Sequence, residues 1–355
     1  MPHLNSLPFT EERMDTILAQ TVRDWELIIV DSNSNDGSWE VLQRYADADP
    51  RIHLSQGPRD GMYPNLNRAL AQCRGDYIYT ATSDDTMSPD FLEQMIDALE
   101  QNPDCGLAHC CLTIIDEQSR PTTGNEAWEN WPAAQYFGDW MAKYHVRQAP
   151  HDGLLHLCIY TPYTSLTQLL VRRRVFDDLG PFRTDCAFLG DFEWDLRVSL
   201  NENVVHVPQA LATWRRHSRQ ATRPEAMYRA RASGEFLRLR RAAVSSLRDR
   251  NPKLWKLLRR SRLNDYYVVG ELAARRRLSR TRARELWEIV RFSLRYPIFS
   301  LRWFFSNVVL RRSVTPDFAE GIRAQLEKLG TPCLIHEAQT QRSFGRLVSA
   351  KVTAA

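Results

Sequence analysis

The stretch WELIIVDSNSNDGSWEVLQRYADADPRIHLSQ, residues 25–56, holds a strand, a turn, a helix and a second strand in direct succession. WELIIVD (25–31) is an apolar, largely β-branched run, which is typical of a strand buried on both faces of a parallel sheet. SNSNDGS (32–38) consists of turn-forming residues, and WEVLQRYADADP (39–50) after it is interpreted as a helix. RIHLSQ (51–56) predicts a short strand, so the whole stretch predicts a strand–helix–strand unit.

The same alternation extends to both sides of this unit. The predicted elements are a helix at 12–22, a helix at 63–75 closed by Gly75, a strand at 76–83 and a helix at 88–104. Ser88 is the predicted N-cap of the last helix, and Pro89 is its predicted first helical residue. Strands and helices that alternate over about 100 residues predict a doubly wound α/β sheet.

The rest of the chain is predicted to hold loops, further strands and many helices. The predicted elements are a loop-rich, aromatic stretch at 120–165, a strand and short helix at 164–180, an acid-led helix at 190–203 and a strand pair at 203–217. Beyond about residue 222 the sequence predicts Arg-rich helices. We therefore expect two domains, an α/β domain at 1–222 and a basic, mainly helical region at 223–355.

The net charge of +4 hides a strong segregation of charge. Residues 215–312 contain 27 Lys/Arg and 7 Asp/Glu, whereas the rest of the chain contains 20 basic and 36 acidic residues. The basic segment predicts an anionic partner for that part of the chain. No recognised nucleic-acid-binding motif accompanies it, so we do not expect nucleic acid to be that partner.

Cysteine usage and apolar runs indicate where the protein works. Seven cysteines occur without a CxxC pair, which predicts reduced thiols in a cytosolic protein. The opening MPHLNSLPFTEER lacks the apolar core of a signal peptide, and no run of 18 apolar residues occurs. We therefore expect a cytoplasmic protein, with association at the inner face of a membrane left open by the basic segment.

Three aspartates stand at the ends of predicted strands. Asp31 ends the strand at 25–31, and the adjacent Asp84 and Asp85 follow the strand at 76–83. Open α/β sheets bind ligands at the carboxyl ends of their strands, so these side chains are expected around one crevice. A divalent cation such as Mg²⁺ or Mn²⁺ would compensate the paired charges and hold a diphosphate. Alternatively, the Asp pair serves only to cap the following helix.

Several blocks, taken together, resemble the family 2 glycosyltransferases with a GT-A fold. The resembling blocks are the stretch from ILAQTV to PRI, SQGPRDGMYPNLNRAL, GDYIYTATSDD, SPDF, LLVRRRVFDDLGPFRTD, GDFEWDLRV and WRRHS. The resemblance covers residues 2–222 and implies an inverting transferase. Its expected donor is a nucleotide-diphosphate sugar, with UDP as the expected nucleotide. Its expected acceptor is a saccharide or a lipid-linked sugar, for example in cell-surface polysaccharide assembly.

The resemblance also implies roles on the donor side. Asp31 resembles the carboxylate that recognises the nucleobase, because a carboxylate accepts the imide N–H of uracil. Asp85 is the preferred metal ligand, and Asp84 is expected to reach the ribose or the metal. Asp60 and Gly61 resemble a loop that lines the donor site, where glycine permits close backbone approach. An ordinary surface turn is the alternative for this Asp-Gly pair.

On the acceptor side, Asp191 resembles the family's catalytic base, and Glu193 is the second candidate. Alternatively, both acids only complement the dipole of the helix that they begin. Arg215 is expected to bind the diphosphate, and His217 is expected near the diphosphate or the metal. A solvated basic surface is the alternative for these two residues.

The chain departs from the family at its first strand and in one loop. Pro2 and Asn5 align with the end of the family's opening strand motif, but the strand itself is missing. We expect either that the true start lies upstream or that the chain is a truncated relative, because an absent central strand would expose the edges of both neighbours. Pro64 stands in YPNLN where relatives carry an acid, which removes one expected donor contact.

Residues 285–312 combine aromatic and aliphatic residues with spaced arginines. This pattern predicts two amphipathic helices, separated at Pro297, on an anionic membrane surface. A helical subdomain packed on the catalytic domain is the alternative. A sugar-nucleotide-forming nucleotidyltransferase is disfavoured because no Gly-rich basic loop follows the first strand. A degenerate, non-catalytic binding or scaffold protein remains the rival to the transferase.

Overall fold

The fold is described from a computed structural model of the chain. The structure describes residues 1–124, 128–159, 161–220, 235–260, 294, 297, 301, 335–338 and 352–354. The chain divides into two compact units, of which the first comprises Met1–Asp152, Tyr163–His217 and Leu334–Ala355, and the second comprises Gly153–Pro162 and Ser218–Cys333. The first unit therefore also takes in residues from Leu334 onward, which we had assigned to the helical region.

The first unit contains a ten-stranded mixed sheet. Its strands are β1 (Pro2–His3), β2 (Trp25–Asp31), β3 (Ile52–Gln56), β4 (Tyr77–Tyr79), β5 (Cys105–Ile115), β6 (His145–Arg147), β7 (Leu169–Arg172), β8 (Asn203–Arg215), β9 (Ile335–Glu337) and β10 (Val352–Ala354). From one edge, the order is β3, β2, then β1 and β10 in one position, then β4, β7, β5, β8, β6 and β9. Five of the nine pairings between these described strands are parallel.

Helices connect the strands. They are α1 (Leu7–Leu18), α2 (Ser38–Ala48), α3 (Met62–Leu70), α4 (Phe91–Gln101), α5 (Pro132–Phe137), α6 (His151–Ile159), α7 (Arg173–Leu179) and α8 (Gly190–Ser199). The prediction of an α/β fold with a mainly parallel sheet and flanking helices is confirmed. The sheet is mixed because β7 runs antiparallel to β4 and β5, and β6 runs antiparallel to β8 and β9.

Strand β2 shows why its sequence folds in this way. Leu27 and Ile29 point into the largest apolar cluster, whereas Ile28 and Val30 pack in a separate cluster on the other face. Alternate residues of a strand point to opposite faces, so a strand covered on both faces needs a continuous apolar run. This is the pattern that predicted the strand at 25–31.

Several element predictions differ from the structure in their bounds. The helix expected at 12–22 is α1 (Leu7–Leu18), and the strand expected at 76–83 is only Tyr77–Tyr79. The helix expected from Ser88 begins at Phe91, and the Ser88 amide donates to Leu211 O on β8. The strand pair expected at 203–217 is the single strand β8, which has a register irregularity against β5 where Pro208 interrupts the pairing. The helix expected at 63–75 ends at Leu70.

The position expected for the family's first strand, between β2 and β4, is filled by two short segments. Pro2 and His3 pair with the end of β2, and Val352–Ala354 pair in parallel with its beginning and with β4. Thr353 is fully buried, and its hydroxyl bridges Glu26 and the amide of Gly75. The edges of β2 and β4 are therefore covered, although no opening strand of normal length is present in the sequence.

Within the second unit, the described elements after the sheet are α9 (Glu235–Ser245), α10 (Leu247–Arg250) and α11 (Pro252–Arg260). The predicted membrane-surface segment 285–312 lies outside the described residues, except for residues 294, 297 and 301. Among the helices that the structure describes, none combines the length and apolar character needed to cross a bilayer.

Candidate active site

The turn that carries Asp84 and Asp85 is fastened to the end of β8. The Thr86 amide donates to Thr213 Oγ1 over 2.8 Å, and the Thr213 amide donates back to Thr86 O over 2.9 Å. Met87 forms a β-bridge with Ala212. The last residues of β8 therefore lie beside the aspartate pair, as the order of the sheet requires.

Asp85 is enclosed by protein and only 1% exposed. Its Oδ1 accepts the backbone N–H of Arg215 over 2.7 Å, and its Oδ2 accepts the Thr82 hydroxyl over 2.7 Å. Burial and the neighbouring charge of Asp84 raise the pKa of Asp85 to about 7. Asp85 is the metal ligand that the sequence analysis preferred, and both of its carboxylate oxygens already accept hydrogen bonds from the protein.

Asp84 is the more accessible member of the pair, because its side chain is 23% exposed. Its Oδ2 lies 2.9 Å from Nε2 of His217, and the His217 ring packs against Phe9 with ring centres 4.8 Å apart. The structure therefore brings two of the predicted metal ligands, Asp84 and His217, into direct contact.

Arg215 has its guanidinium turned into the protein. Its Nε donates to Asp84 O over 2.7 Å, and its Nη2 donates to Glu12 Oε2 over 2.6 Å. Nη1 donates to Asp116 O and to the Ser119 hydroxyl, over 3.1 and 2.8 Å. These contacts connect Arg215 to three segments of the chain. Direct binding of a diphosphate by Arg215 stays a prediction.

Asp31 also sits in an enclosed position and is fully buried. His3 Nδ1 and the Ser34 hydroxyl lie 2.9 and 2.5 Å from Oδ1, and the Ser34 amide donates to Oδ2 over 2.8 Å. Burial alone would raise the pKa of Asp31, but the hydrogen bonds from His3 and Ser34 outweigh it and lower that pKa. The carboxylate orders the turn after β2 in this structure, and its contact with a nucleobase stays a prediction.

Short contacts connect this turn to the aspartate pair. The Asn5 amide donates to the Ser34 hydroxyl over 2.9 Å. The hydroxyl of the next residue, Ser6, lies 3.0 Å from that of Ser83, which directly precedes Asp84. The loop after β1 thus joins the ends of β2 and β4, and it brings Asp31 and Asp84 to one edge of the sheet, as expected.

The Asp60–Gly61 loop precedes α3. Both oxygens of Asp60 accept hydrogen bonds from Arg68, over 2.9 and 2.5 Å, and this pairing lowers the pKa of Asp60. Gly61 has φ of 118°, a left-handed value that favours glycine, so the conformation of this loop depends on that residue. Asn65, on the same helix, donates to the Ser32 hydroxyl over 2.7 Å and links α3 to the turn after Asp31.

Asp191 lies in the first turn of α8. The preceding Gly190 packs so closely on α3 that a Cβ there would stand 2.6 Å from Cδ2 of Tyr63. Oδ1 of Asp191 accepts the Phe192 amide over 2.6 Å, and the nearby Tyr63 hydroxyl, which donates to Phe188 O over 3.1 Å, also acts to lower the pKa of Asp191. Burial raises the pKa of Asp191 to about 6 despite these partners. The residue as a whole is partly exposed.

Glu193, the second candidate for the base, is 2% exposed. Arg197, one turn further along α8, donates to both of its carboxylate oxygens, with a closest distance of 3.0 Å. Arg197 also donates to Pro181 O, which ties the helix to the loop after α7. This ion pair suits a structural role for Glu193, and its role as a base stays a prediction.

A divalent cation fits the donor set at Asp84 and His217. In the part of the chain that the structure describes, no three His, Cys, Asp or Glu side chains converge on one point. Mg²⁺ and Mn²⁺ are nevertheless commonly held by one or two carboxylates together with substrate phosphates. Asp84 supplies such a carboxylate at the edge of the sheet, and the imidazole of His217 lies beside it.

Sequence reasoning missed the residues that hold the site together. Ser34 was detectable, because a hydroxyl three residues after an aspartate is a local turn signal. His3 and Tyr63 gave no such signal, since their partners Asp31 and Asp191 are 28 and 128 residues away in the sequence.

Residues 1–180 of the chain match the family model described as "Glycosyl transferase family 2". The "Uncharacterized glycosyltransferase EpsJ" of Bacillus subtilis (strain 168) is 33% identical over 102 residues, which are 29% of this chain and 30% of that protein. The "Putative teichuronic acid biosynthesis glycosyltransferase TuaG" of the same organism is 29% identical over 121 residues, which are 34% of this chain and 48% of that protein. The chain thus matches less than half the length of these relatives.

Among solved structures, that of Staphylococcus aureus TarS, residues 1–349, in complex with UDP is similar with a TM-score of 0.49 and 16% sequence identity. The similarity covers 68% of this chain and 63% of the TarS chain.

Proposed function

The chain belongs to glycosyl transferase family 2, and we propose that it transfers a sugar from a nucleotide-diphosphate donor to a hydroxyl group with inversion at the anomeric carbon. We propose UDP as the nucleotide and a saccharide or lipid-linked sugar as the acceptor. The name of one relative, a putative teichuronic acid biosynthesis glycosyltransferase, supports the proposal of an acceptor in cell-surface polysaccharide assembly.

On the donor side, Asp84 and His217 would hold Mg²⁺ or Mn²⁺. The bound cation supplies positive charge that stabilises the departing diphosphate. Asp85 supports this pair from behind, because its oxygens are committed to Thr82 and to the Arg215 backbone. Asp31 acts through the turn that it orders, next to Ser83 and the metal-binding edge.

On the acceptor side, Asp191 would act as the general base. It takes the proton of the acceptor hydroxyl while the oxygen attacks the anomeric carbon, and the bond to the diphosphate breaks on the opposite face. With a pKa raised to about 6, the carboxylate is mostly ionised at neutral pH and still basic enough to accept a proton. The contact with Tyr63 fixes its position at the start of α8.

The observation that carries this proposal is the direct Asp84–His217 contact, at the accessible edge of the sheet and beside the buried Asp85. The test is transfer or hydrolysis of UDP- and GDP-sugars by the full chain, with Mn²⁺ or with EDTA. We expect turnover that requires the metal and falls at least about a hundredfold in Asp84→Asn, since metal-borne charge stabilisation is then lost.

Glu40→Gln, an exposed change on α2, is the matched control and should keep full activity. Absence of turnover with every donor, together with donor binding that is the same for wild type and Asp84→Asn, would replace this proposal with the non-catalytic binding protein.

We also propose that the basic segment 285–312 associates with an anionic membrane surface. Its support is the excess of 27 Lys/Arg over 7 Asp/Glu in residues 215–312, together with the aromatic residues in 285–312. Sedimentation with vesicles that contain anionic lipid should carry the protein down at low salt, and zwitterionic vesicles should not. If equal amounts of protein sediment with anionic and with zwitterionic vesicles, the segment is instead a packed helical subdomain.

A further inference from the structure

Arg215 is among the largest fully buried side chains that the structure describes. A buried guanidinium has five N–H groups to satisfy, and leaving them without acceptors is strongly destabilising. The side chain accordingly gathers acceptors from three different segments. They are helix α1, the turn at Asp84, and the turn from Asp116 to Ser119.

The contacts of Arg215 with the aspartate pair come from both its backbone and its side chain. The amide holds Oδ1 of Asp85, and Nε holds the carbonyl oxygen of Asp84. A single residue therefore fixes a carboxylate of one aspartate and the peptide group of the other. These two contacts determine the direction in which the Asp84 side chain leaves the backbone.

The outer contacts anchor Arg215 to the first helix. Nη2 donates to Glu12, and the Ser119 hydroxyl bridges Nη1 of Arg215 and Glu12, which it contacts at 2.7 Å. Phe9, one turn before Glu12, lies under the guanidinium at 4.9 Å and against the ring of His217 at 4.8 Å. The same anchor thus supports both members of the Asp84–His217 pair.

We propose that Arg215 is a positioning residue that holds Asp84 and His217 in the geometry that binds the divalent cation, and that it does not contact the diphosphate. This inference rests on the proposed function. A lysine lacks the planar fork of donors, so it cannot hold Asp84, Asp116 and Glu12 at the same time. Release of the turn lets Asp84 rotate, and the affinity for the cation falls.

The test measures Mn²⁺ binding directly, by electron paramagnetic resonance of free Mn²⁺ titrated with the full-length protein in the presence of UDP. Arg215→Lys should weaken Mn²⁺ binding about tenfold, which corresponds to about 1.4 kcal/mol. Arg147→Lys is the control, because Arg147 is equally buried and is paired with Asp152 in a contact separate from the aspartate turn. It should lower the melting temperature without changing Mn²⁺ affinity.

A second pair of variants keeps the test decisive if Arg215→Lys does not fold. Glu12→Gln and Ser119→Ala each remove one outer contact of the guanidinium, and each should weaken Mn²⁺ binding about two- to fivefold. Unchanged Mn²⁺ affinity in both would overturn the inference.

The rival role has a different signature. If Arg215 binds the diphosphate directly, UDP affinity in EDTA falls in Arg215→Lys while Mn²⁺ affinity without UDP stays at the wild-type value. Failure of the proposed function would show as absent turnover in the wild type, whereas the Mn²⁺ measurement still decides the role of Arg215.

Discussion

The carboxylate at the end of β2 has a lowered pKa, whereas the carboxylates on the β4 turn and on α8 have raised pKa values. Asp31 is fully buried, yet hydrogen bonds from His3 and Ser34 lower its pKa. Burial raises the pKa values of Asp85 and Asp191 to about 7 and about 6, and the charge of Asp84 adds to the effect at Asp85. The balance between burial, like charge and the hydrogen bonds that the protein supplies makes the difference.

We infer from this difference that these carboxylates have separate roles. The fold compensates the charge of Asp31, and its contact with a nucleobase stays a prediction. Raised pKa values such as those of Asp85 and Asp191 are common at functional sites. The pKa of Asp195, one turn after Asp191, is also shifted upward, because burial and the charge of Asp191 raise it well above the usual value.

The largest expected effect comes from Asp191→Asn. The amide cannot accept the proton, so kcat should fall about a hundred- to ten-thousandfold, the range typical of general-base catalysis. The measurement is the initial rate of sugar transfer at saturating donor. Thermal shift with UDP should be unchanged, which separates loss of the base from loss of the donor site. A rate within tenfold of wild type would remove Asp191 from the mechanism.

The pH dependence of the same reaction tests the raised pKa of Asp191. Asp191 must be ionised to act, and its pKa is about 6, so kcat should fall about tenfold per pH unit below 6 and level off above it. The Asp191→Asn residual rate should lack this acid limb. An acid limb centred near pH 4, the ordinary carboxylate value, would show that burial does not control this group.

Asp31→Asn should act on stability more than on chemistry. His3 and Ser34 lose a charged acceptor, and the expected cost is about 1–3 kcal/mol of the free energy of unfolding at neutral pH. Because the folded-state pKa is lowered, this stabilisation is present above about pH 4 and is lost as the pH falls further. Denaturant unfolding at pH 7 and pH 3 should therefore show a smaller difference between wild type and variant at pH 3.

A drop in kcat as large as that of Asp191→Asn, with no change in unfolding, would contradict the structural role of Asp31.

The smallest expected effect comes from Tyr63→Phe, which removes the hydroxyl near Asp191 while keeping the ring against Gly190. Because the nearby Tyr63 hydroxyl lowers the pKa of Asp191, its loss should move the acid limb of kcat upward by a few tenths of a pH unit. Tyr45→Phe, which removes an exposed hydroxyl bound to Asp15, is the control and should leave the profile in place. A downward shift would mean that Tyr63 favours the protonated carboxyl.

Part of the site was predictable because its signals are local. The apolar run of 25–31 specified a strand covered on both faces, and the position of Asp31, Asp84 and Asp85 after strands placed them at one edge of the sheet. Asp191 was singled out by the resemblance of GDFEWDLRV to a block of the family, and it lies in the first turn of α8. Each of these inferences needs only a few neighbouring residues, which is why a single sequence sufficed.

The roles within that edge depended on distant contacts. The sequence favoured Asp85 over Asp84 as the metal ligand. In the structure, the amide of Arg215, 130 residues away, donates a hydrogen bond to Asp85. Arg215 carries a charge that suits a diphosphate, but its guanidinium is buried against Glu12 and Asp84, and its binding of a diphosphate stays a prediction. Residue type alone does not reveal which hydrogen bonds the fold has already used.

The alternation of strands and helices, the family resemblance and the set of acids at the sheet edge follow from local sequence, because periodicity and turn chemistry act over a few residues. Which of those acids are compensated and which remain accessible depends on contacts between distant segments. The same contacts place Val352–Ala354 between β2 and β4. Strand order brings together segments that are far apart along the chain, and the pKa of a carboxylate depends on whichever donors that order places beside it.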